Sequence, residues 1–215
     1  MPQQARAIAT RAAIIRGASQ AFEQRGYGST SLAQVSNAAG VTKGALYFHF
    51  DSKEALAVAI IRAQHEASAA AGQKLLDDNH PGLHALVSMS YELARQLRDD
   101  LVVSAGVRLT IEAANFSTPV AGPYLDWMGA CEEFLRRGIV SGDINPELDV
   151  CAAAHFCTSA FTGVQVVSDV LTKRADIDQR LTEMWAILLP GIVAPGRWDD
   201  LKDLPARILR ERAGL

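Results

Sequence analysis

The chain is poor in groups that react. Its 215 residues include only three cysteines, Cys131, Cys151 and Cys157. None forms a C-x-x-C pair and one is left over from any pairing, so the simplest reading is a reduced, cytoplasmic protein. Cys151 and Cys157 stand about 240° apart around a helix and cannot chelate together. The opening MPQQARAIATR has no apolar run of the kind a secretory signal needs. No G-x-S-x-G, H-E-x-x-H, P-loop or dinucleotide fingerprint occurs, so no constellation supports an enzyme. His80 and His84 lie around the turn Asn79-His80-Pro81-Gly82 without a third ligand, and neither a metal nor another cofactor is expected. Internal repeats and low-complexity tracts are missing too. What remains is ordinary: 49% apolar and 21% charged residues, with length enough for a real core.

The charge is unevenly placed. Residues 1–53 carry six bases (6, 11, 16, 25, 43, 53) against Glu23 and Asp51, a balance of +4, and the remainder carries −7. A basic head on an acidic body points to a polyanion that meets the head alone. Within the head, Ile8, Ile14, Ile15, Ala18, Ala21 and Phe22 recur at helical spacing, predicting a helix over 7–25 that Gly26 and Gly28 stop. Ser31 with Gln34 forms a capping box for a second helix, whose inward stripe is Leu32, Val35 and Ala39 and which Gly40 ends. Thr42 caps a third, KGALYFH, and Asp51 with Glu54 reads as another box opening a helix near Ser52.

Two short helices joined by Gly40-Val41-Thr42 fit a helix-turn-helix whose second helix is the reader. Leu46 and Phe50 face inward in this reading, which turns Lys43, Gly44, Tyr47 and His49 outward. Lys43 suits a phosphate or the O6/N7 edge of guanine, and the hydroxyls of Thr42 and Tyr47 suit phosphate oxygens. The helix N-terminus at Ser52-Lys53 adds amides and positive charge. Gly44 is a costly residue inside a helix, by about 1 kcal/mol relative to Ala. It makes sense where a backbone must approach another surface.

The span AFEQRGYGSTSLAQVSNAAGVTKGALYFHFDSKEAL resembles the N-terminal DNA-binding domain of TetR-type transcriptional repressors. That resemblance implies an all-α homodimer, with a three-helix head over residues 1–53 and a ligand-binding and dimerising bundle over 54–215, about nine or ten helices in all. It also implies DNA-contacting roles for Ser31, Thr42, Lys43, Gly44, Ala45, Tyr47, His49 and Lys53.

In the body, a helix from Ser52 to about Asp78 keeps Leu56, Ala59, Ile60, Ala63, Ala67 and Ala70 on one face, and so leaves the head and enters the body. Further helices are predicted at 83–98, 101–113 and 123–138, with the loop NFSTPVAGP (115–123) placed to border a cavity. Residues 150–168, VCAAAHFCTSAFTGVQVVS, have no formal charge, and their length raises a transmembrane reading. His155, Gln165 and several Ser/Thr argue instead for a helix buried on nearly all sides, touching the core on one face and something else on the other, with His155 a core histidine. Ile177, Leu181, Met184, Trp185 and Leu188 make an apolar stripe over 176–190. That stripe is either a dimer seam with 150–168 or ordinary core. A loop over 191–203 and a terminal helix over 204–212 complete the chain.

Trp127, near Leu125, Met128 and Phe134, either closes over a ligand or packs in the core. A second resemblance bears on this. VTKGALYFHFDSKEALA, SAGVRLTIE, the P-Y-L-D-W segment, GVQVVSD and EMWAILLPGIV are similar to the γ-butyrolactone-receptor branch of the family. The similarity implies release from a palindromic operator by a γ-butyrolactone, butenolide or furan signal, and control of antibiotic biosynthesis or differentiation genes. It matches Trp127 to a pocket tryptophan and makes Gln64 and Thr162 candidates for hydrogen bonds to the ligand. A TetR-type repressor that senses an antibiotic or another drug-like ligand, controlling efflux or biosynthetic genes, is the alternative. No membrane partner is expected.

Overall fold

The computed structural model describes residues 2–78, 80–113, 116, 117 and 120–214. The helices among them are α1 (Pro2–Ser29), α2 (Leu32–Ala38), α3 (Lys43–His49), α4 (Lys53–Asp77), α5 (Gly82–Asp99), α6 (Leu101–Glu112), α7 (Gly122–Val140), α8 (Val150–Thr172), α9 (Ile177–Ile192), α10 (Trp198–Leu201) and α11 (Leu204–Ala213). No strand occurs among the described residues, and α10 is a single turn, so the all-α class with about ten helices stands. Two compact units form: Met1–Ala69 with Gln96–Ala121, and Ala70–Arg95 with Gly122–Leu215. The expected loop over 115–123 and the turn at 79–82 fall partly outside the described residues.

The first unit is built around α1, whose Ile14, Ala18 and Phe22 pack with Val35, Leu46, Phe50, Leu56, Ile60 and Leu109 in one core. Gly17 lets α2 close on α1, since a Cβ there would stand 2.5 Å from the Ala39 nitrogen. Gly26, at φ 76, breaks α1 one residue after the expected end. The turn between α2 and α3 is a Schellman closure: the Val41 N–H donates to the Ser36 carbonyl and the Gly40 N–H to that of Asn37. Gly40 takes the left-handed φ of 64 that this closure requires. Both predicted caps form, Ser31 in a full box with Gln34 and Thr42 accepting the Ala45 N–H. The third cap differs. Ser52, not Asp51, accepts the first free amide of α4, from Ala55 at 2.9 Å. Glu54 turns to Ser117, whose hydroxyl donates to it at 2.6 Å.

Helix α6 latches onto the broken end of α1. Glu112 accepts the Tyr27 N–H at 2.6 Å and Arg108 Nε at 2.8 Å. The Arg108 guanidinium also donates to the Glu23 carbonyl, and the Ser104 hydroxyl to the Glu23 carboxylate, each at 2.6 Å. Break and latch belong together: the turn at Gly26 leaves backbone groups that α1 cannot satisfy itself.

In the second unit α5 crosses α7 at two glycines, where a Cβ on Gly82 would lie 2.2 Å from the Gly138 nitrogen. Leu83, Tyr91, Phe134, Leu135, Ile144 and Trp185 are fully buried there. Trp185 donates its indole N–H to Ser90 at 2.9 Å, and the Tyr91 hydroxyl pairs with Thr182 at 2.8 Å, so both polar tips are satisfied. A single bridge between Ile144 and Val193 ties the α7–α8 loop to the end of α9.

Two expectations for this unit are corrected, those for His155 and for the loop over 191–203. Of the α9 stripe, which the sequence leaves open between seam and core, Ile177, Leu181, Met184 and Trp185 are buried within the unit, continued by Leu189 and Ile192, while Leu188 is half-buried and Ile187 faces outward. Apolar periodicity identifies a buried face without naming its partner. Helix α8 touches the core on one face, through Ala154, Cys157, Gln165 and Ser168, and leaves Phe156, Val167, Val170 and Leu171 exposed on the other. His155 is exposed with them rather than in the core. Helix α8 is long and apolar enough to cross a membrane by length and composition alone. Finally, the loop expected over 191–203 contains α10.

Candidate functional site

Leu46 and Phe50 are the buried face of α3, as their spacing predicts. Lys43, Gly44 and Tyr47 are exposed, and Tyr47 keeps 53% of its surface. Lys43 and Tyr47 are one turn apart on the same side. With Leu32, Ala33 and Leu46 they line a groove between α2 and α3. Thr42 is exposed at the helix start, its oxygen accepting the Ala45 N–H at 3.1 Å while its O–H remains available to donate. Ala45 is half-buried beside it. Gly44 meets no internal constraint, because a Cβ there would find nothing closer than Thr42 Oγ1 at 4.0 Å. A glycine that the fold does not require fits a surface that something approaches.

The other head residues divide. Ser31 is exposed, but its hydroxyl is engaged with Gln34 in the α2 cap. His49 is half-buried, turned partly towards the core, with its ring edge-on to Phe48 at 5.2 Å. Lys53 points inward: its ammonium donates to the carbonyls of Tyr27 at 2.8 Å and Thr30 at 3.1 Å and lies 4.3 Å from the centre of the Tyr27 ring. It therefore caps the end of α1, and burial followed by the nearby Glu54 charge raises the Tyr27 hydroxyl pKa. Arg11 stacks over Phe50 at 5.3 Å and covers the base of the reader helix.

The effector candidates belong to different units. In the second, α7 and α8 pack together, and the contact of Cys131 with Thr158 at 3.8 Å sets their register. Cys131 and Thr158 stand at nearly equal distances from the connecting loop 141–149, so the helices run back along one another and Trp127, one turn before Cys131, falls level with Thr162, one turn after Thr158. Trp127 is half-buried against Tyr124, edge to face at 5.2 Å, and burial raises the Tyr124 pKa, which keeps its hydroxyl a donor. Phe134 is buried, but Leu125 points to solvent and does not join it. Thr162 returns its hydroxyl to the Thr158 carbonyl at 2.8 Å, leaving its lone pairs as acceptors. Burial, then the neighbouring Cys131, pushes the Cys157 thiol up to about 12, so it stays protonated and inert. In the first unit Gln64 is fully buried on α4. Its amide donates to Ser68 at 2.9 Å, and Ser68 to Gln96 at 3.2 Å, while Gln64 Oε1 has no hydrogen-bond partner among the described residues. Among the described residues no group of three His, Cys, Asp or Glu could hold a metal ion.

Two features escaped the sequence reading. Phe48 is 81% exposed on α3. Its position opposite Leu46 and Phe50 was legible from helical period alone. The Arg108–Glu112 pair has the i,i+4 spacing of a helix ion pair, but its latch onto Glu23 and Tyr27 has no sequence signal, because those partners come together only when α6 meets α1.

Residues 14–60 match the model of bacterial regulatory proteins of the tetR family, and residues 80–194 that of the tetracyclin repressor-like C-terminal domain. The chain belongs to the TetR family of transcriptional regulators. Within it the similar proteins include two named as receptors and one solved on DNA. The A-factor receptor protein of Streptomyces griseus is 36% identical over 196 residues, covering 91% of this chain and 68% of that one. A γ-butyrolactone receptor described as ArpA-like matches in structure with a TM-score of 0.82 at 34% identity, over 96% of this chain and 99% of that one. CprB of Streptomyces coelicolor, solved in complex with its biological operator sequence, matches with a TM-score of 0.77 at 34% identity, over 96% and 99%.

Proposed function

We propose that the chain is a ligand-released transcriptional repressor. Two copies bind a palindromic operator, and a γ-butyrolactone-like signal, a butenolide or furan among them, releases it. The genes it governs are those of antibiotic biosynthesis or differentiation. The observation that carries this reading is the exposed α3 face, where Lys43, Gly44 and Tyr47 stand clear of a core that Leu46 and Phe50 anchor. Thr42, Ala45 and His49 flank that face. Ser31 and Lys53 act mainly by holding helix ends, with DNA contact secondary. Residues 1–53 serve as the DNA-binding division and 54–215 as the effector-binding and dimerising one. The protein works in the cytoplasm, without a catalytic step and without a membrane partner.

The dimer forms on the outward face of α8, where Ala152, Phe156, Ser159, Gly163, Val167 and Val170 recur over five turns, joined by Ile187 of α9. Small residues set among larger ones let two such faces interlock, and a pair of helices from each copy makes a four-helix seam. The two readers then enter successive major grooves about 34–36 Å apart. Trp127 and Thr162 are the effector residues of the second unit and Gln64 that of the first. Effector binding favours a conformer whose readers no longer fit both grooves, which requires a difference in ligand affinity between the two conformers.

The test is fluorescence anisotropy of the full-length protein on its own upstream intergenic DNA, with and without a panel of γ-butyrolactones, butenolides and furans. Tight binding relieved by one of them is expected. Tight binding relieved by none turns the effector search to antibiotics and pathway intermediates, and no binding overturns the repressor reading.

A further inference from the structure

We infer that Phe48 reads sequence, by packing its ring on the C5-methyl group of a thymine in the major groove. The inference rests on the repressor reading and adds a base contact to it. At 100° per residue, Phe48 lies directly opposite the mean direction of Leu46 and Phe50, so it is the crest of the reader helix. It is 81% exposed, whereas Tyr47 beside it keeps 53%. Gly44, one turn earlier, leaves that flank of the ring bare, and nothing inside the protein requires a glycine there.

The chemistry then narrows the target. Phe48 has no donor or acceptor, so it can serve neither a phosphate oxygen nor the polar edge of a base, as the Tyr47 hydroxyl and the Lys43 ammonium can. The apolar group that base pairs present in the major groove is the thymine methyl. A ring placed against sugar alone would add affinity blind to sequence, and the experiment separates the two. Phe48 also holds a T-shaped contact with the half-buried His49 ring, which limits its swing. A pre-oriented apolar crest of this kind discriminates one methyl group well.

The experiment uses the full-length protein and the shortest duplex from its own upstream intergenic DNA that it protects from nuclease. Each thymine is replaced in turn, in both half-sites, by 2′-deoxyuridine, which removes only the methyl group. One symmetric pair of thymines is expected to cost the wild type about fourfold in affinity per half-site, the factor that burial of one methyl supports. Phe48→Ala should bind the thymine duplex more weakly and be indifferent to uracil at that pair. Phe48→Leu should retain part of the discrimination. Because the side chain is exposed, both variants should keep the wild-type circular dichroism. A flat uracil scan on protected DNA, or an equal uracil penalty in Phe48→Ala, overturns this inference and leaves the repressor reading standing. Absence of any protected DNA overturns both.

Discussion

The faces of α3 and α8 are both exposed, and they differ in kind. The α3 face is seven residues long and carries an ammonium, two flanking hydroxyls and one apolar ring. The α8 face runs along a helix of 23 residues in which Phe156 keeps 59% of its surface and Val170 72%. Surface apolar residues scattered singly need no explanation, but a continuous stripe does. The contrast teaches that exposure alone says little about a partner. The donors an exposed face holds, or lacks, say what chemistry can cover it: phosphates and base edges on α3, and a second apolar helix face on α8.

The contrast breaks hardest at Lys43. Lys43→Ala or Tyr47→Ala should lower operator affinity on the order of a hundredfold or more, because each loss counts twice in a symmetric dimer. Size-exclusion chromatography should still show a dimer, and unchanged affinity would remove these residues from the reader. Raising salt should weaken wild-type binding steeply. The converse variant is Val167→Asp. It puts two like charges into the proposed seam and should raise the dimer dissociation constant about a hundredfold, with folding preserved by circular dichroism; a variant that stays dimeric at nanomolar concentration in light scattering refutes the α8 seam. Trp127→Ala should bind operator normally and lose the release that an effector gives the wild type, a coupling typically about 5–150-fold. An unaltered response in the anisotropy assay takes Trp127 out of the site.

The smallest effect concerns stability within the second unit. Burial raises the Glu92 carboxyl, but hydrogen bonds from Arg95 and from Arg212 of α11 outweigh it and hold it at about 2. A folded-state pKa below the unfolded value adds stability above pH 4.5, and that contribution disappears as the pH falls towards 2. Glu92→Gln should therefore cost on the order of 1 kcal/mol at pH 7 after solvent screening and almost nothing near pH 2. Urea melts at both pH values measure it, and an equal cost at both would show that the ion pairs contribute nothing.

Much of the head was legible because its determinants are local. Ser31 with Gln34, Thr42, and Gly40 at a left-handed turn act within four residues of where they stand, and Leu46 with Phe50 follow the helical period. The misjudged positions all depend on partners far along the chain. Lys53 looked free until the broken end of α1 offered it carbonyls from Tyr27 and Thr30. Glu54 looked like a cap until Ser117 came within reach. The stripe of α9 is legible as buried but not as facing any one partner, since periodicity carries no information on what lies opposite. His155 reads as a core residue because its neighbours are small and uncharged, a property that an oligomer seam shares with a core.

The latch between α6 and the break in α1 has a consequence for how the protein is made. Tyr27 and Glu23 wait for partners on α6, whose last residue is Glu112. At ribosomal speeds of about 5–20 residues per second, the stretch from Lys53 to Glu112 takes roughly 3–12 s to follow. Throughout that interval the emerging head has its reader sequence complete and its supporting wall unbuilt. A newly made chain therefore completes the wall behind its reader only after Glu112 has left the ribosome, and a fragment cut at residue 53 would lack the α6 side of the latch.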